Sequence, residues 1–240
     1  MLPGQQTLLM SWSALARLSP GARVVASAAT VAAVFPAWAP LNNAILQAGS
    51  ADAAAVALAD AYGAAGVGAW ALWLPSTRTD LDAEDDVRAV AGMRRDTSTL
   101  VMRLPLTAAH RRDERVRRTS ISSATQATDE PVRVADLQAE DDIDGLTAWV
   151  VVREGQAVAG AWSILHDDEC GVYAMGTPDR FRRQGLARAL MSHVLASAHA
   201  QGARTATLQS TPMGRPLYAS LGFEPVGRYD EWVPRTSDRA

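Results

Sequence analysis

Apolar residues in the last third of the chain follow two different spacings. Between residues 186 and 200 they recur every three or four positions, which is typical of a helix with one apolar face. Residues 169–175 and 203–209, on either side of this segment, have the composition of strands. A short helix over residues 215–221 and a last segment ending with residues 229–233 follow. The pattern predicts the order strand, helix, strand, short helix, strand.

The first half of the chain repeats part of this order. Its spacing predicts a helix over residues 51–63, a strand over 67–74, a helix from about 80 to 91 and a strand over 98–104. This similarity of order suggests that the two halves share one kind of fold.

The two halves are separated by charged and polar residues. Residues 110–118 interleave Arg with Asp and Glu and contain no aromatic ring for stacking, which favours a solvated segment over a nucleic-acid surface. The following polar residues, 120–130, are typical of a flexible connector. We therefore predict a first domain over residues 1–117, a linker over 118–130 and a second domain over 131–240.

Three further segments are assigned from their local pattern. Residues 24–34 are apolar but too short to span a bilayer, so we predict a buried helix there. Residues 134–143 are predicted to form a helix of the second domain. Residues 148–153 and 156–165 are predicted to form a hairpin that turns at Glu154-Gly155.

The turn Arg182-Arg183-Gln184-Gly185-Leu186-Ala187 carries the clearest chemistry. It joins a predicted strand to a predicted helix, so unpaired backbone N–H groups and the positive end of the helix dipole meet there. Arg182 and Arg183 add cationic donors suited to phosphate oxygens. Gly185 lets the backbone approach a ligand closely, and Ala187 keeps the start of the helix slim. This turn predicts a pyrophosphate site.

Several short sequence motifs flank this turn in a recognisable order. Met175-Gly176-Thr177 ends the strand before it, and Ser210 and Gly214 follow the strand after the helix. The segment ends with Pro216-Leu217-Tyr218-Ala219-Ser220-Leu221-Gly222-Phe223. With these pieces, residues 173–232 resemble the GNAT superfamily of acyl-CoA-dependent N-acetyltransferases.

The resemblance implies an α+β fold with a mixed, mainly antiparallel central sheet flanked by helices. Residues 1–117 would then be a degenerate GNAT-like half ahead of a catalytic GNAT domain. No Arg–Gly turn precedes the helix at residues 51–63, so this half is not expected to bind CoA. It would either shape the acceptor pocket or serve stability alone.

The resemblance also implies acetyl-CoA as co-substrate and assigns its contacts. Pantetheine would pair with a strand edge at residues 173–175 beside a splay at Gly176-Thr177, and the thioester carbonyl would face a backbone N–H near Met175. Tyr218 would be the general acid that protonates the CoA thiolate. The residues implied to contact the co-substrate are Tyr173, Ala174, Met175, Gly176, Thr177, Arg182, Arg183, Gln184, Gly185, Leu186, Ala187, Ser210, Gly214 and Leu217.

The implied reaction moves the acetyl group to a primary amine in a ternary complex, without an acyl-enzyme. Two alternatives stay open: a non-catalytic CoA-binding or regulatory module, and an acyltransferase for longer acyl-CoA. The general base is not identified. Residues 166–169 are expected in a hairpin turn away from the splay, so they are not expected to supply this base. Tyr173, Glu224 and Glu231 remain unsupported candidates for it. Trp149 and Trp162 are expected to pack in the sheet, and either could line the acceptor site.

Composition limits the partners. A net charge of −3 implies no strong attraction to nucleic acid or to anionic lipid. The single cysteine, Cys170, excludes an internal disulfide and argues against a thiolate metal cluster, so we expect no metal. Without a secretory signal or a membrane span, the expected location is cytoplasmic. The expected partner is a small-molecule or peptide amine, and a homodimer stays open.

Overall fold

The computed structural model describes residues 1–80, 89–107, 110–141, 143 and 145–235. These residues form one large mixed sheet flanked by α-helices. The helices are α1 (Gln5–Leu18), α2 (Ala51–Ala64), α3 (Ile121–Asp129), α4 (Leu186–Ala200) and α5 (Arg215–Ala219). The strands are β1 (Arg23–Ala26), β2 (Thr30–Val34), β3 (Asn43–Leu46), β4 (Ala71–Ser76), β5 (Met93–Pro105), β6 (Val116–Thr119), β7 (Val132–Arg133), β8 (Leu146–Arg153), β9 (Gln156–His166), β10 (Glu169–Gly176), β11 (Thr205–Ser210) and β12 (Glu224–Pro234).

The order of strands across the sheet is β1-β2-β3-β4-β12-β5-β11-β10-β9-β8-β6, and β7 pairs with β9. Among the described residues, β3 pairs with β4 and β10 with β11 in parallel, whereas the other pairs are antiparallel. The predicted α+β fold with a mixed, mainly antiparallel sheet is therefore confirmed. A helix crosses over between the strands of each parallel pair, α2 in the first half and α4 in the second.

The two halves exchange their last strands. β5 belongs to the first half in sequence but pairs with β11, and β12 ends the second half but pairs with β4 on one edge and β5 on the other. The halves therefore share a continuous sheet. The predicted domain boundaries at residues 117 and 131 remain a prediction.

Helices cover both faces of the sheet. The apolar side of α4 packs on one face, with Leu190, Met191 and Val194 in its core. On the other face α1 and α3 pack in a second core. Gly160 in β9 lets α3 lie close, because a Cβ there would collide with the carbonyl oxygen of Ala124. Within the described ranges, no helix is long and apolar enough to cross a membrane.

Three predictions for local structure were wrong: the connector over residues 120–130, the helix over residues 24–34 and the helix over residues 134–143. Residues 120–130 are not a connector: α3 lies there, capped by Ser120, whose hydroxyl accepts a 3.1 Å hydrogen bond from the Ser123 N–H. Its small polar residues conceal an apolar face formed by Ile121, Ala124 and Ala127. Residues 24–34 form the β1–β2 hairpin instead of a helix, since their β-branched side chains favour strands.

In the segment 134–143, the described residues contain only a 3₁₀ turn at Val134–Asp136. The helix predicted from about residue 80 falls largely on residues 81–88, outside the described part of the chain. The hairpin around Glu154-Gly155 and the helix α4 are confirmed, the latter with the predicted bounds.

Candidate active site

Strands β10 and β11 separate at the end of the sheet where α4 begins. Their parallel pairing runs from Glu169 with Thr205 to Val172 with Leu208, and the described residues continue it no further. On its other edge, β10 carries a bulge between Tyr173 and Gly176, where Ala174 has a φ of 48°. The splay therefore begins after Val172, earlier than the predicted Gly176-Thr177, because the bulge turns β10 away from β11.

The turn before α4 has the backbone of an anion site. Arg183 has a φ of 58° and Gly185, the residue that precedes α4, a φ of 75°. No side chain of the described residues caps this helix, so its first N–H groups stay available to a ligand. A Cβ on Gly185 would meet nothing within 4 Å, so the positive φ is what favours glycine there.

The splay and the turn open into a cavity of about 400 Å³. Predicted site residues that line this cavity are Met175, Gly176, Thr177, Arg182, Arg183, Gly185, Leu186, Ala187, Gly214, Leu217 and Tyr218. Four lining residues were not predicted: Phe181, Arg188, Thr211 and Met213. Thr211 and Met213 lie between the predicted Ser210 and Gly214, so that spacing could have indicated them.

Four predicted residues do not line the cavity. The Tyr173 side chain packs in the core on the far face, where its hydroxyl donates a 2.9 Å hydrogen bond to Thr7 Oγ1. The Gln184 side chain bonds to the Arg180 carbonyl oxygen and to Arg153. Ser210 is fully buried and donates to the Thr211 carbonyl oxygen at 2.9 Å, while Ala174 lies exposed in the bulge.

Arginines make the cavity favourable for an anion. Arg182 pairs with Asp179 at 2.7 Å and donates from Nε to the Thr177 carbonyl oxygen at 3.0 Å. Arg188 donates to Ser220 Oγ at 2.6 Å. Arg183 has no hydrogen bond or ion pair with any described residue, and no carboxylate is among the described residues that line the cavity.

Tyr218 lies at the inner wall of the cavity, packed edge-on against Phe223 with ring centroids 6.0 Å apart. Gly214 makes room for it, since a Cβ there would lie 2.8 Å from Tyr218 Cε2. Burial raises the pKa of the Tyr218 hydroxyl to about 12. Its hydroxyl has no hydrogen-bond partner in the described part of the chain. At neutral pH this group is therefore a proton donor.

None of the candidate bases lines the cavity. His166 and Glu169 flank the β9–β10 turn at the opposite end of β10 from the splay, as predicted, and Glu169 accepts from Thr7 and Thr207. Glu231 lies on β12, where burial raises the pKa of its carboxyl group. Among the described residues, no cluster of His, Cys, Asp and Glu could hold a metal ion.

Comparison with known proteins agrees with this geometry. A family model described as "Acetyltransferase (GNAT) domain" matches residues 109–232. The chain therefore belongs to the GNAT acetyltransferase family. No curated protein matches its sequence.

Solved structures share the fold over nearly the whole chain. A GCN5-related N-acetyltransferase from Kribbella flavida is 18% identical, with a TM-score of 0.61 and coverage of 96% of both chains. A protein from Novosphingobium aromaticivorans assigned to the GNAT family is 18% identical, with a TM-score of 0.60, and the match covers 89% of this chain and 92% of that one. A GCN5-related N-acetyltransferase-like protein from Streptococcus suis is 16% identical, with a TM-score of 0.54 and coverage of 89% and 88%. At these identities the likeness shows the fold.

Proposed function

We propose that this protein transfers the acetyl group of acetyl-CoA to a primary amine of a small molecule or peptide. The observation that carries the proposal is the convergence of three features on one cavity. These features are the unpaired edge of β10, the uncapped start of α4 and the hydroxyl of Tyr218.

Each feature matches one part of the co-substrate. The free N–H and C=O groups of β10 beyond Val172 suit the two amides of pantetheine, as an added strand would. The N–H groups at the start of α4 and the side chain of Arg183 suit the pyrophosphate. A cavity lined by arginines and by no carboxylate of the described residues favours this anionic ligand.

The proposed reaction is a direct attack. The amine nitrogen forms a bond to the thioester carbonyl carbon, the C–S bond breaks, and the thiolate leaves. Tyr218 donates its proton to the thiolate, and the proton lost by the acetylated nitrogen restores the Tyr218 hydroxyl. A covalent route through cysteine is disfavoured, because Cys170 is fully buried and burial raises the pKa of its thiol to about 12.

Calorimetric titration with acetyl-CoA, CoA and ATP tests the proposal. We expect both CoA species to bind more tightly than ATP, and the variant Gly185→Asp to lose this binding through backbone strain and repulsion of the pyrophosphate. Gly202→Asp is the matched control. Gly202 also has a positive φ, 98°, and a Cβ added there would meet no described atom within 4 Å, but it lies after the other end of α4.

Three results would contradict the proposal in different ways. Failure of the wild type to bind either CoA species removes the enzyme assignment. Binding without turnover of any amine favours a CoA-binding module. Faster turnover with longer acyl-CoA than with acetyl-CoA favours the other acyltransferase.

A further inference from the structure

We infer that Trp162 and Trp38 form the wall of the amine site, and that the amine is a monoamine with an apolar body and a hydrogen-bond-accepting oxygen. This inference rests on the proposed function. It deepens that function by assigning the substrate class and by giving the first half of the chain a part in recognition.

Trp162 lies beside the splay, on the face of the sheet opposite α4. Trp162 in β9 pairs with Tyr173, the last residue before the bulge of β10, and both side chains lie in the core opposite α4. The cavity proposed for acetyl-CoA opens on the α4 side, so the amine must reach the thioester from the other face. Ala174 in the bulge is exposed, so solvent already reaches the sheet at this point.

The indole N–H of Trp162 is an unsatisfied hydrogen-bond donor within the described part of the chain. It is enclosed and has no hydrogen-bond partner among the described residues, and the same is true of Gln209 Nε2. Gln209 lies on β11 just beyond Leu208, where the pairing with β10 stops. Trp149, on the α4 face of the same sheet, has its N–H bonded to Ser163 Oγ at 2.8 Å. Buried donors usually find acceptors, so the donors beside the splay indicate a ligand that brings an oxygen.

Trp38 comes from the other half of the chain and contacts Trp162. Its ring meets Trp162 edge-on, with centroids 5.5 Å apart and an angle of 66° between the rings. The loop that bears it is tied at its base, where Asn42 accepts from the Phe35 N–H at 2.6 Å and donates to the Phe35 carbonyl oxygen at 3.2 Å. Trp38 is half-buried, so one side of the aromatic wall faces solvent.

Charge selects against a polyamine. The carboxylate of Glu169 on this face is held by Thr7 and Thr207 at the far end of β10. Glu231 lies on β12 opposite Trp73, and three strands separate β12 from β9 in the sheet. Around Trp38, Trp162 and Gln209, the ring nitrogens and the amide are neutral donors. They suit an uncharged or anionic oxygen, and none of these three residues supplies a carboxylate for a second ammonium group.

The experiment compares three amines: L-phenylalaninamide, 2-phenylethylamine, which has the same ring without the oxygen, and spermidine. We expect kcat/KM to be highest for L-phenylalaninamide, about tenfold above 2-phenylethylamine, and lowest for spermidine. Trp162→Phe should bring the ratio of the first two amines close to one while the Kd of acetyl-CoA stays within about twofold. Trp149→Phe is the matched control and should keep the ratio.

Trp38→Leu should raise the KM of both monoamines about tenfold without changing the Kd of acetyl-CoA. Trp70 is another tryptophan of the first half, which stacks on Tyr62 in a separate core cluster, so Trp70→Leu should leave KM unchanged. Thermal melting of each variant verifies that it is folded.

Suppose that acetyl-CoA binds and amines react, but that Trp162→Phe keeps the ratio of the two monoamines or that spermidine is preferred. This result overturns the inference and leaves the proposed function standing. If none of the three amines reacts, they are titrated into CoA-saturated protein and binding is followed by the heat measured in calorimetry. A saturable change for L-phenylalaninamide that Trp162→Phe weakens supports the inference, and its absence overturns it. A wild type that binds no acetyl-CoA overturns the proposed function, and the inference with it.

Discussion

Helices α2 and α4 connect parallel strands in the same way, but only the start of α4 opens into the cavity described above. Before α4 the chain turns through Arg183 and Gly185, both with positive φ, and carries two adjacent arginines. Before α2 it turns through Gly49, with a φ of 83°, and residues 47–52 contain no arginine. The first turn of α2 instead carries Asp52, whose carboxylate accepts a 2.8 Å hydrogen bond from the Ala91 N–H.

The difference indicates that a helix crossing over between two parallel strands is not sufficient to form an anion site. Both helices present a positive dipole end, yet at α2 that end already has a carboxylate of the protein beside it. At α4 the arginines and the splayed β10 edge leave the same dipole end for a ligand. One architecture thus serves packing in the first half and, in the proposed function, binding in the second.

The largest effect is expected from separating the halves. A chain of residues 109–240 lacks β5, the strand that joins β11 to β12, so it should lose cooperative thermal unfolding measured by circular dichroism. A chain that starts at residue 90 keeps β5 and serves as the comparison. If residues 109–240 melt cooperatively and bind acetyl-CoA, the exchange of strands is not required for folding, which would contradict this prediction.

The next effect concerns the charge at the two helix starts. Arg183→Glu should weaken acetyl-CoA binding about tenfold or more, because a charge-assisted contact becomes a repulsion. Asp52→Arg, the opposite change at α2, should leave the stoichiometry and affinity unchanged. Calorimetry at low salt measures both, and a second acetyl-CoA bound by Asp52→Arg would show that charge alone makes the site.

Two buried tyrosines give a finer test. Tyr218→Phe should lower kcat about a hundredfold with little change in acetyl-CoA affinity, since only the proton donor is lost. Tyr62→Phe removes a 2.9 Å hydrogen bond to the Ala33 carbonyl oxygen and should cost about 1 kcal/mol of unfolding free energy without affecting kcat. Equal losses of kcat and affinity in Tyr218→Phe would point to a structural role.

The last effect is on stability at alkaline pH. Burial raises the pKa of Tyr218 to about 12, whereas the unfolded chain ionises near about 10. The folded state retains the proton longer, so its stability should fall as the pH rises from about 10 towards 12. Tyr62 and Tyr229, whose pKa values burial also raises, add to this fall.

Urea unfolding at pH values on both sides of this range measures it. Tyr218→Phe should lose less stability than the wild type between the two pH values. An identical loss would mean that Tyr218 does not titrate as a buried group.

Much of the candidate site could be predicted because its signals are local. The turn of residues 182–187, the helix α4 and Tyr218 within its motif are each set by residues close together in sequence. The resemblance assigned Tyr173 and Gln184 to the site through their backbone groups, and that assignment remains a prediction. No local pattern predicted the partners of their side chains, Thr7 and Arg153, which lie far away in the sequence.

The sequence by itself determined the strand, turn and helix that form the proposed anion site, because periodicity, glycine and charge act within a few residues. Only the tertiary structure decided that β5 and β12 change places, since strand pairing depends on distant partners that no local pattern records. It also brought Trp38 of the first half against Trp162 of the second. That contact arises because the continuous sheet holds the two halves together, and this continuity is a property of the whole chain.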